Sequence, residues 1–145
     1  MRHLTAIACL LAPATLLAAP PNLQEGQWQI TTRMQMEGMP ANMPPHTLSM
    51  CLNKDDIARG DKTLPQAPRD KGQQHCEFAE RSMNSAKLHY KMVCTGDHRA
   101  TMTGDIHYES TRYDGKSRME MVDRKGKTTV MTQEFSAQRL GDCRK

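Results

Sequence analysis

The stretch GQWQITTRMQM (residues 26–36) decides the fold class, because apolar and polar residues alternate along it with a period of two. Every second residue from Trp28 to Met36 falls on one face of an extended strand, and the polar residues between them fall on the other. An α-helix would scatter the same apolar residues around its circumference. The stretch therefore predicts a half-buried antiparallel strand.

The same alternation recurs along the rest of the chain. Further strands are predicted at residues 48–52, 75–81, 87–94, 101–109, 112–121 and 129–141. Between the second and third strands, Asn53 can cap a helical turn from Lys54 to Arg59 that Gly60 ends. The remainder, to Gln74, is predicted to be a long loop. The sequence thus predicts an all-β fold, an antiparallel meander of about seven strands that forms a sandwich or a partly open barrel.

The third and fourth predicted strands form a hairpin whose turn centres on Ser85. In this register Cys76 faces Cys94, and Glu80 faces Tyr90 on the inner side of the sheet. Directly opposed Cα atoms lie about 4.5–5.5 Å apart, which a disulfide accepts.

The cysteine pattern predicts a disulfide framework. Besides Cys9, the chain has four cysteines, and an even number is typical of exported domains: Cys51, Cys76, Cys94 and Cys143. Four cysteines allow three pairings, and the hairpin register favours Cys76–Cys94 with Cys51–Cys143. The pairing Cys51–Cys76 with Cys94–Cys143 stays open as its rival. No pair has C-x-x-C spacing, which argues against a redox motif and a zinc ribbon.

The N-terminus predicts export. A cationic Met-Arg-His start is followed by a mostly apolar run to Leu17 and by Ala18-Ala19, the pattern of a signal peptide. A bilayer-spanning helix needs about 20 apolar residues, so this run is too short to span. We predict a signal peptide over 1–19 and a single disulfide-bonded β domain over 20–145, periplasmic or secreted and not membrane-spanning.

Methionine is abundant, with 12 residues, and several of them cluster at the end of the first strand and in the segment after it. Thioether and imidazole groups suit Cu(I), so copper is the one cofactor that the sequence raises. Its candidate ligands are Met34, Met36, Met39, Met43 and His46. The alternative interpretation is that Met34 and Met36, with Met119, Met121 and Met131, fill an irregular core.

Aromatic residues on the inner faces are candidates for lining a ligand cavity. These candidates are Trp28, Tyr90 and Tyr108. Small inner residues such as Gly104 and Gly115 would leave room for an apolar ligand, or would mark bends where the strands coil.

Three functions remain open. The first is an exported binding module for an apolar small molecule or a periplasmic protein; the second is a Cu(I)-binding or buffering protein; the third is a methionine-based oxidant sink. No nucleophile motif or metal-ligand spacing is present, so catalysis is not expected. The formal net charge is +4, with basic residues scattered among acidic ones, which argues against nucleic-acid binding.

Several short motifs resemble one exported bacterial family. They are GQW at 26–28, MQMEGMP at 34–40, MPP at 43–45, Cys51-Leu52, Tyr113-x-Gly115, Met119-x-Met121 and RLGDC at 139–143. Together they are similar to the family catalogued as domain of unknown function 3617. The resemblance implies export and a small cysteine-paired domain. It carries no assigned activity and no catalytic residues.

Overall fold

The predicted strands are all present. A computed structural model describes residues 19–39, 43–64, 75–96 and 99–143. Residues 1–18 of the predicted signal peptide and residues 65–74 of the predicted loop lie outside these ranges. In chain order the elements are β1 Gly26–Met36, β2 His46–Leu52, α1 Lys54–Arg59, a 3₁₀ turn Asp61–Thr63, β3 His75–Met83, β4 Lys87–Thr95, β5 Arg99–Glu109, β6 Arg112–Val122 and β7 Thr128–Gly141.

The seven strands form one antiparallel sheet in the order β2-β1-β7-β6-β5-β4-β3. The all-β prediction is confirmed, and β3 to β7 follow the predicted meander. The sheet is single and does not close, so the partly open alternative holds and the sandwich is not formed. The β1–β2 hairpin joins the sheet through β7, which makes β2 and β3 its two edges.

One face of the sheet carries the core. Alternate residues of the strands turn inward, which is the burial that the period-two pattern predicted. The buried cluster consists of Trp28, Ile30, Leu52, Ile57, Leu64, Leu88, Tyr90, Met102, Ile106, Tyr108, Tyr113, Met119, Phe135 and Ala137. Ile57 and Leu64 come from the segment after β2, so this segment packs on the inner face.

The helical turn α1 has the caps that the sequence predicted. The Asn53 side chain accepts a hydrogen bond from the backbone N–H of Asp56, and the Asp56 carboxylate accepts one from the N–H of Asn53. Gly60 ends the helix in the left-handed conformation, with φ of 68°. Arg81 of β3 donates to the carbonyl oxygen of Arg59 at 3.0 Å. The segment therefore connects the β2 edge to the β3 edge across the inner face.

Both disulfides of the favoured pairing are present, so the rival pairing is wrong. Cys76 and Cys94 oppose each other on β3 and β4, with Cα atoms 4.0 Å apart. Cys51 of β2 bonds to Cys143, just after β7, with Cα atoms 5.6 Å apart.

The predicted hairpin register is right at the cysteine end and wrong beyond it. A bulge between Phe78 and Glu80 shifts the register by one residue, so that Arg81, and not Glu80, opposes Tyr90. Glu80 is exposed, with its carboxylate 3.6 Å from the Lys91 ammonium. The bulge spares the protein the cost of burying that carboxylate.

Candidate functional site

A mainly apolar opening lies between β1, β2 and the segment after α1. On β1 the residues Ile30, Thr32 and Met34 point to the same face. The antiparallel register sets Leu48 opposite Ile30 and His46 opposite Thr32, so β2 extends this face. The result is a half-open cavity of about 470 Å³.

The walls of the cavity are mainly apolar, with a few polar groups. The lining residues are Ile30, Thr32, Met34, His46, Leu48, Met50, Lys62, Thr63, Leu64, Tyr113, Gln133 and Phe135. Its volume falls within the range of about 300–1,000 Å³ that is typical of small-molecule sites. An apolar wall with a small number of polar groups is the usual composition of such a site.

The segment after α1 forms one wall through a small charged cluster. The buried carboxylate of Asp56 lies 2.8 Å from the Lys62 ammonium and 2.9 Å from the Arg59 guanidinium. The hydrogen bond from Lys62, followed by that from the backbone of Asn53, lowers the pKa of Asp56. The cluster therefore stays ionised and fixes Lys62 at the cavity.

Thr63 anchors the same wall to the sheet. Its hydroxyl donates to the carbonyl oxygen of Gly60 at 2.8 Å, so its one proton is used. The Tyr108 hydroxyl, 3.0 Å away, is therefore the donor in the buried bond between these two side chains. Burial raises the pKa of Tyr108, which keeps this donor protonated.

The aromatic residues predicted to line a cavity lie in the core, and none of them lines this one. Trp28 is fully buried and donates from its ring nitrogen to the carbonyl oxygen of Gln24 at 3.1 Å. Tyr90 is also fully buried, and burial raises its pKa to about 12. Tyr113, which the sequence analysis did not single out, lines the cavity and contacts Trp28 with ring centroids 5.5 Å apart.

The inner glycines do not leave free space. A Cβ atom on Gly104 would lie 2.7 Å from the Tyr90 ring, and one on Gly115 would overlap the Phe135 ring. Each ring comes from the residue directly opposite on the neighbouring strand. The space that the glycines vacate is therefore filled by aromatic rings, and the cavity lies elsewhere.

The five candidate copper ligands separate into two groups. Met34 and His46 both line the cavity, and Met36 is partly buried two residues further along β1. Met39 and Met43 lie outside the lining, with 56% and 39% of their surface exposed. Within the described ranges no group of three or more His, Cys, Asp or Glu side chains has the geometry to hold a metal.

A row of methionines crosses the inner face beside the cavity. Met36 of β1 opposes Met131 of β7, which opposes Met119 of β6; Met119 opposes Met102 of β5, which opposes Met92 of β4. We call these five residues the methionine row. Flexible thioether side chains fill irregular space and adapt to what they contact. Of the five methionines interpreted as core, Met119 is buried, and Met36, Met121 and Met131 are partly buried. Met34 is 39% exposed, so the core interpretation is wrong for it.

The outer face carries a matching row of charges. His89, Asp105, Lys116, Glu134 and Arg33 oppose one another in this order across five neighbouring strands. The His89 ring lies 2.8 Å from the Asp105 carboxylate, and the Lys116 ammonium 2.7 Å from that of Glu134. Signs alternate along most of the row, so its charges largely balance. We therefore interpret the outer face as a surface that stays in contact with water.

Comparison with known proteins identifies a family. The model of a family described as "Protein of unknown function (DUF3617)" matches residues 23–143. No curated protein and no solved structure matches the chain significantly. No helix in the described part of the chain is long and apolar enough to cross a membrane.

Proposed function

This chain belongs to the DUF3617 family of proteins of unknown function, and we propose that it is an exported binding module that holds an apolar small molecule in the cavity between β1 and β2. The observation that carries the proposal is the cavity itself, about 470 Å³ with a mainly apolar wall. The two disulfides are consistent with export, because such bonds persist in oxidising compartments. We propose binding without catalysis.

The cavity wall is suited to a ligand that displaces water from apolar surface. Leu48, with 37% of its surface exposed, lies on the wall at the free edge of the sheet. Met34 is also exposed on this wall, at 39%. Burial of such surface contributes about 25 cal/mol per Å². A ligand that covers these two side chains would gain affinity from that burial.

Native mass spectrometry on protein purified mildly from the periplasm tests the proposal. The expected result is that the protein carries an additional mass from a bound organic molecule, and that this mass is lost when the protein is denatured in organic solvent. A periplasmic protein as the bound partner would favour the protein-interaction alternative, and a clean mass would argue against a resident ligand.

Replacing Leu48 with aspartate is expected to weaken the binding of an apolar fluorescent probe by about tenfold or more, because the ligand would then bury an unpaired carboxylate. Ser49→Asp is the matched control: Ser49 is the next residue on the same strand, is exposed and points to the other face. The measurement is a probe titration by fluorescence. Equal affinities for the two variants would place the probe outside this cavity.

Cu(I) binding is the second candidate, and the observation that favours it is the proximity of the methionine row to the cavity. Met34 and His46 line the cavity, and Met36 opposes Met131 next to it. We expect the Met34→Leu, Met36→Leu double variant to weaken Cu(I) affinity at least tenfold, about the loss seen when a metal site is disturbed. Competition with a chromophoric Cu(I) chelator measures it.

The loop methionines provide the comparison for that experiment. The Met39→Leu, Met43→Leu double variant removes the two exposed candidates and leaves the strand methionines in place. If neither double variant changes the Cu(I) affinity, the copper candidate fails.

An oxidant sink is the third candidate, supported by the exposure of the loop methionines. Met39 is 56% exposed, whereas Met102 and Met119 of the methionine row are 4% exposed. Thioether oxidation follows access to solvent. Limited peroxide treatment followed by peptide mass mapping is expected to give the sulfoxide of Met39 first. Oxidation of Met102 at the same rate would contradict this candidate, because selective exposure is its basis.

A further inference from the structure

We infer that the cavity takes a single-chain amphiphile with an anionic head group. This inference rests on the proposed function and names its ligand class. A methylene occupies about as much space as a water molecule, about 30 Å³, so a cavity of about 470 Å³ holds a chain of up to about 15 carbons. The cavity is half-open, which leaves a position for a polar head group in contact with solvent.

The charge of the described lining residues favours an anion. Lys62 is the one residue with a formal charge among the twelve that line the cavity, and no carboxylate is among them. A cationic head group would find no carboxylate among the described lining residues, whereas an anionic one would form a charge-assisted hydrogen bond with Lys62.

Lys62 is held in place but is not saturated. Its ammonium lies 2.8 Å from the Asp56 carboxylate, and its side chain is 44% exposed. An ammonium has three donors, so two remain for a ligand. Asp56 also contacts Arg59 at 2.9 Å, so its carboxylate is shared between two basic side chains.

Further polar side chains reach the same cavity, and two of them carry N–H groups. His46 lies on β2 and Gln133 on β7, and both carry groups that can donate a hydrogen bond. Thr63 is not expected to contact the head group, because its hydroxyl already forms hydrogen bonds with Gly60 and Tyr108. Lys62, His46 and Gln133 therefore form the predicted head-group contacts.

Calorimetric titration of the full chain with four ligands of equal chain length tests the inference: dodecanoate, dodecyl phosphate, dodecan-1-ol and dodecylammonium, each below its micellar concentration. We expect both anions to bind about tenfold more tightly than the alcohol, the factor that one partly exposed charge-assisted hydrogen bond provides, and the ammonium to bind most weakly. A preference between the two anions would identify the head group as carboxylate or phosphate.

Three lysine variants assign the effect to one side chain. Lys62→Met is expected to lower the affinity for dodecanoate about tenfold, without a change in that for dodecan-1-ol, and Lys62→Arg to restore it. Lys54→Met is the matched control, because Lys54 begins the neighbouring helix α1, is 85% exposed and does not line the cavity. The comparison of ligands on the unmodified chain does not depend on how well any variant folds.

The outcomes separate this inference from the proposed function. Equal affinities for anions and alcohol would overturn the anionic head group and leave an apolar-ligand protein. If Lys62→Met lowered the affinities for dodecanoate and dodecan-1-ol equally, Lys62 would shape the cavity wall and would not recognise charge. This result would also overturn the inference. Failure of all four ligands to bind would overturn the proposed function as well.

Discussion

Removal of the Cys51–Cys143 disulfide by a double alanine substitution is expected to lower the free energy of unfolding by about 4–5 kcal/mol, because this bond closes a loop of 92 residues in the unfolded chain. Removal of Cys76–Cys94, which closes 18 residues, is expected to cost about 3 kcal/mol. Total stabilities are typically about 5–15 kcal/mol, so the first loss is a large fraction of the whole.

The two double variants are each other's controls, since each removes one disulfide and leaves the other. Equilibrium denaturation with guanidinium chloride, monitored by the fluorescence of Trp28, measures both free energies. Trp28 is fully buried in the core and reports on global unfolding. A larger loss for the shorter loop would show that local strain, and not loop entropy, sets the contribution of these bonds.

The long-range disulfide also has a functional consequence. Among the described strands, β2 is an edge strand that pairs with β1, and its side chains form the outer wall of the cavity. The bond from Cys51 to Cys143 ties the end of β2 to the chain that follows β7. In its absence the outer wall is held by the β1–β2 hydrogen bonds and by the packing of Leu52 and Met50 on the core, without a covalent bond to the chain after β7. We therefore expect ligand affinity to fall together with stability.

The elements that the sequence could predict are those set by local chemistry. Period-two alternation located all seven strands, and Asn53 and Gly60 located both ends of α1. The disulfide between Cys76 and Cys94 followed from a hairpin register, which a short turn fixes within a few residues.

The features that escaped prediction depend on distant parts of the chain. Nothing in the β1 sequence distinguishes β7 as its second partner, since any strand with an apolar face can pair with it. The bulge after Phe78 was missed for a related reason. It depends on the cost of burying the Glu80 carboxylate against the core, which the strand pattern alone does not show.

The candidate site was predicted in part. Met34 and His46 were singled out for a different ligand, and the structure places both at the cavity. Lys62 and Leu64 were missed because they belong to a segment that was interpreted as loop, and their position depends on how that segment crosses the inner face. Large aromatic residues were predicted to surround a ligand, but rings such as that of Tyr90 fill the core.

Gly115→Ala is expected to lower the free energy of unfolding by about 3 kcal/mol, at the upper end of the usual cost of overpacking. A Cβ atom there would overlap the Phe135 ring and would lie 2.7 Å from the backbone carbonyl oxygen of Asp105. The Phe135 ring can shift towards the cavity that it lines, but the Asp105 carbonyl belongs to a paired strand, so the clash with the backbone remains. Thermal or chemical denaturation measures the loss.

Comparison with Gly104→Ala separates the cost of a clash with the backbone from the cost of a clash with an aromatic ring. The closest atoms to a Cβ on Gly104 all belong to the far end of the Tyr90 side chain, which can shift more easily than a strand. We therefore expect a smaller loss, about 1–2 kcal/mol. In a Tyr90→Leu background, Gly104→Ala should lower the free energy of unfolding by even less, because the ring that clashes with the new Cβ atom is absent. Gly115→Ala should still lower it in that background, because there the Cβ atom clashes with Phe135 and Asp105. If both glycine substitutions were neutral, the space beneath the rings would be empty, and the inner face would hold a second cavity beside that of β1 and β2.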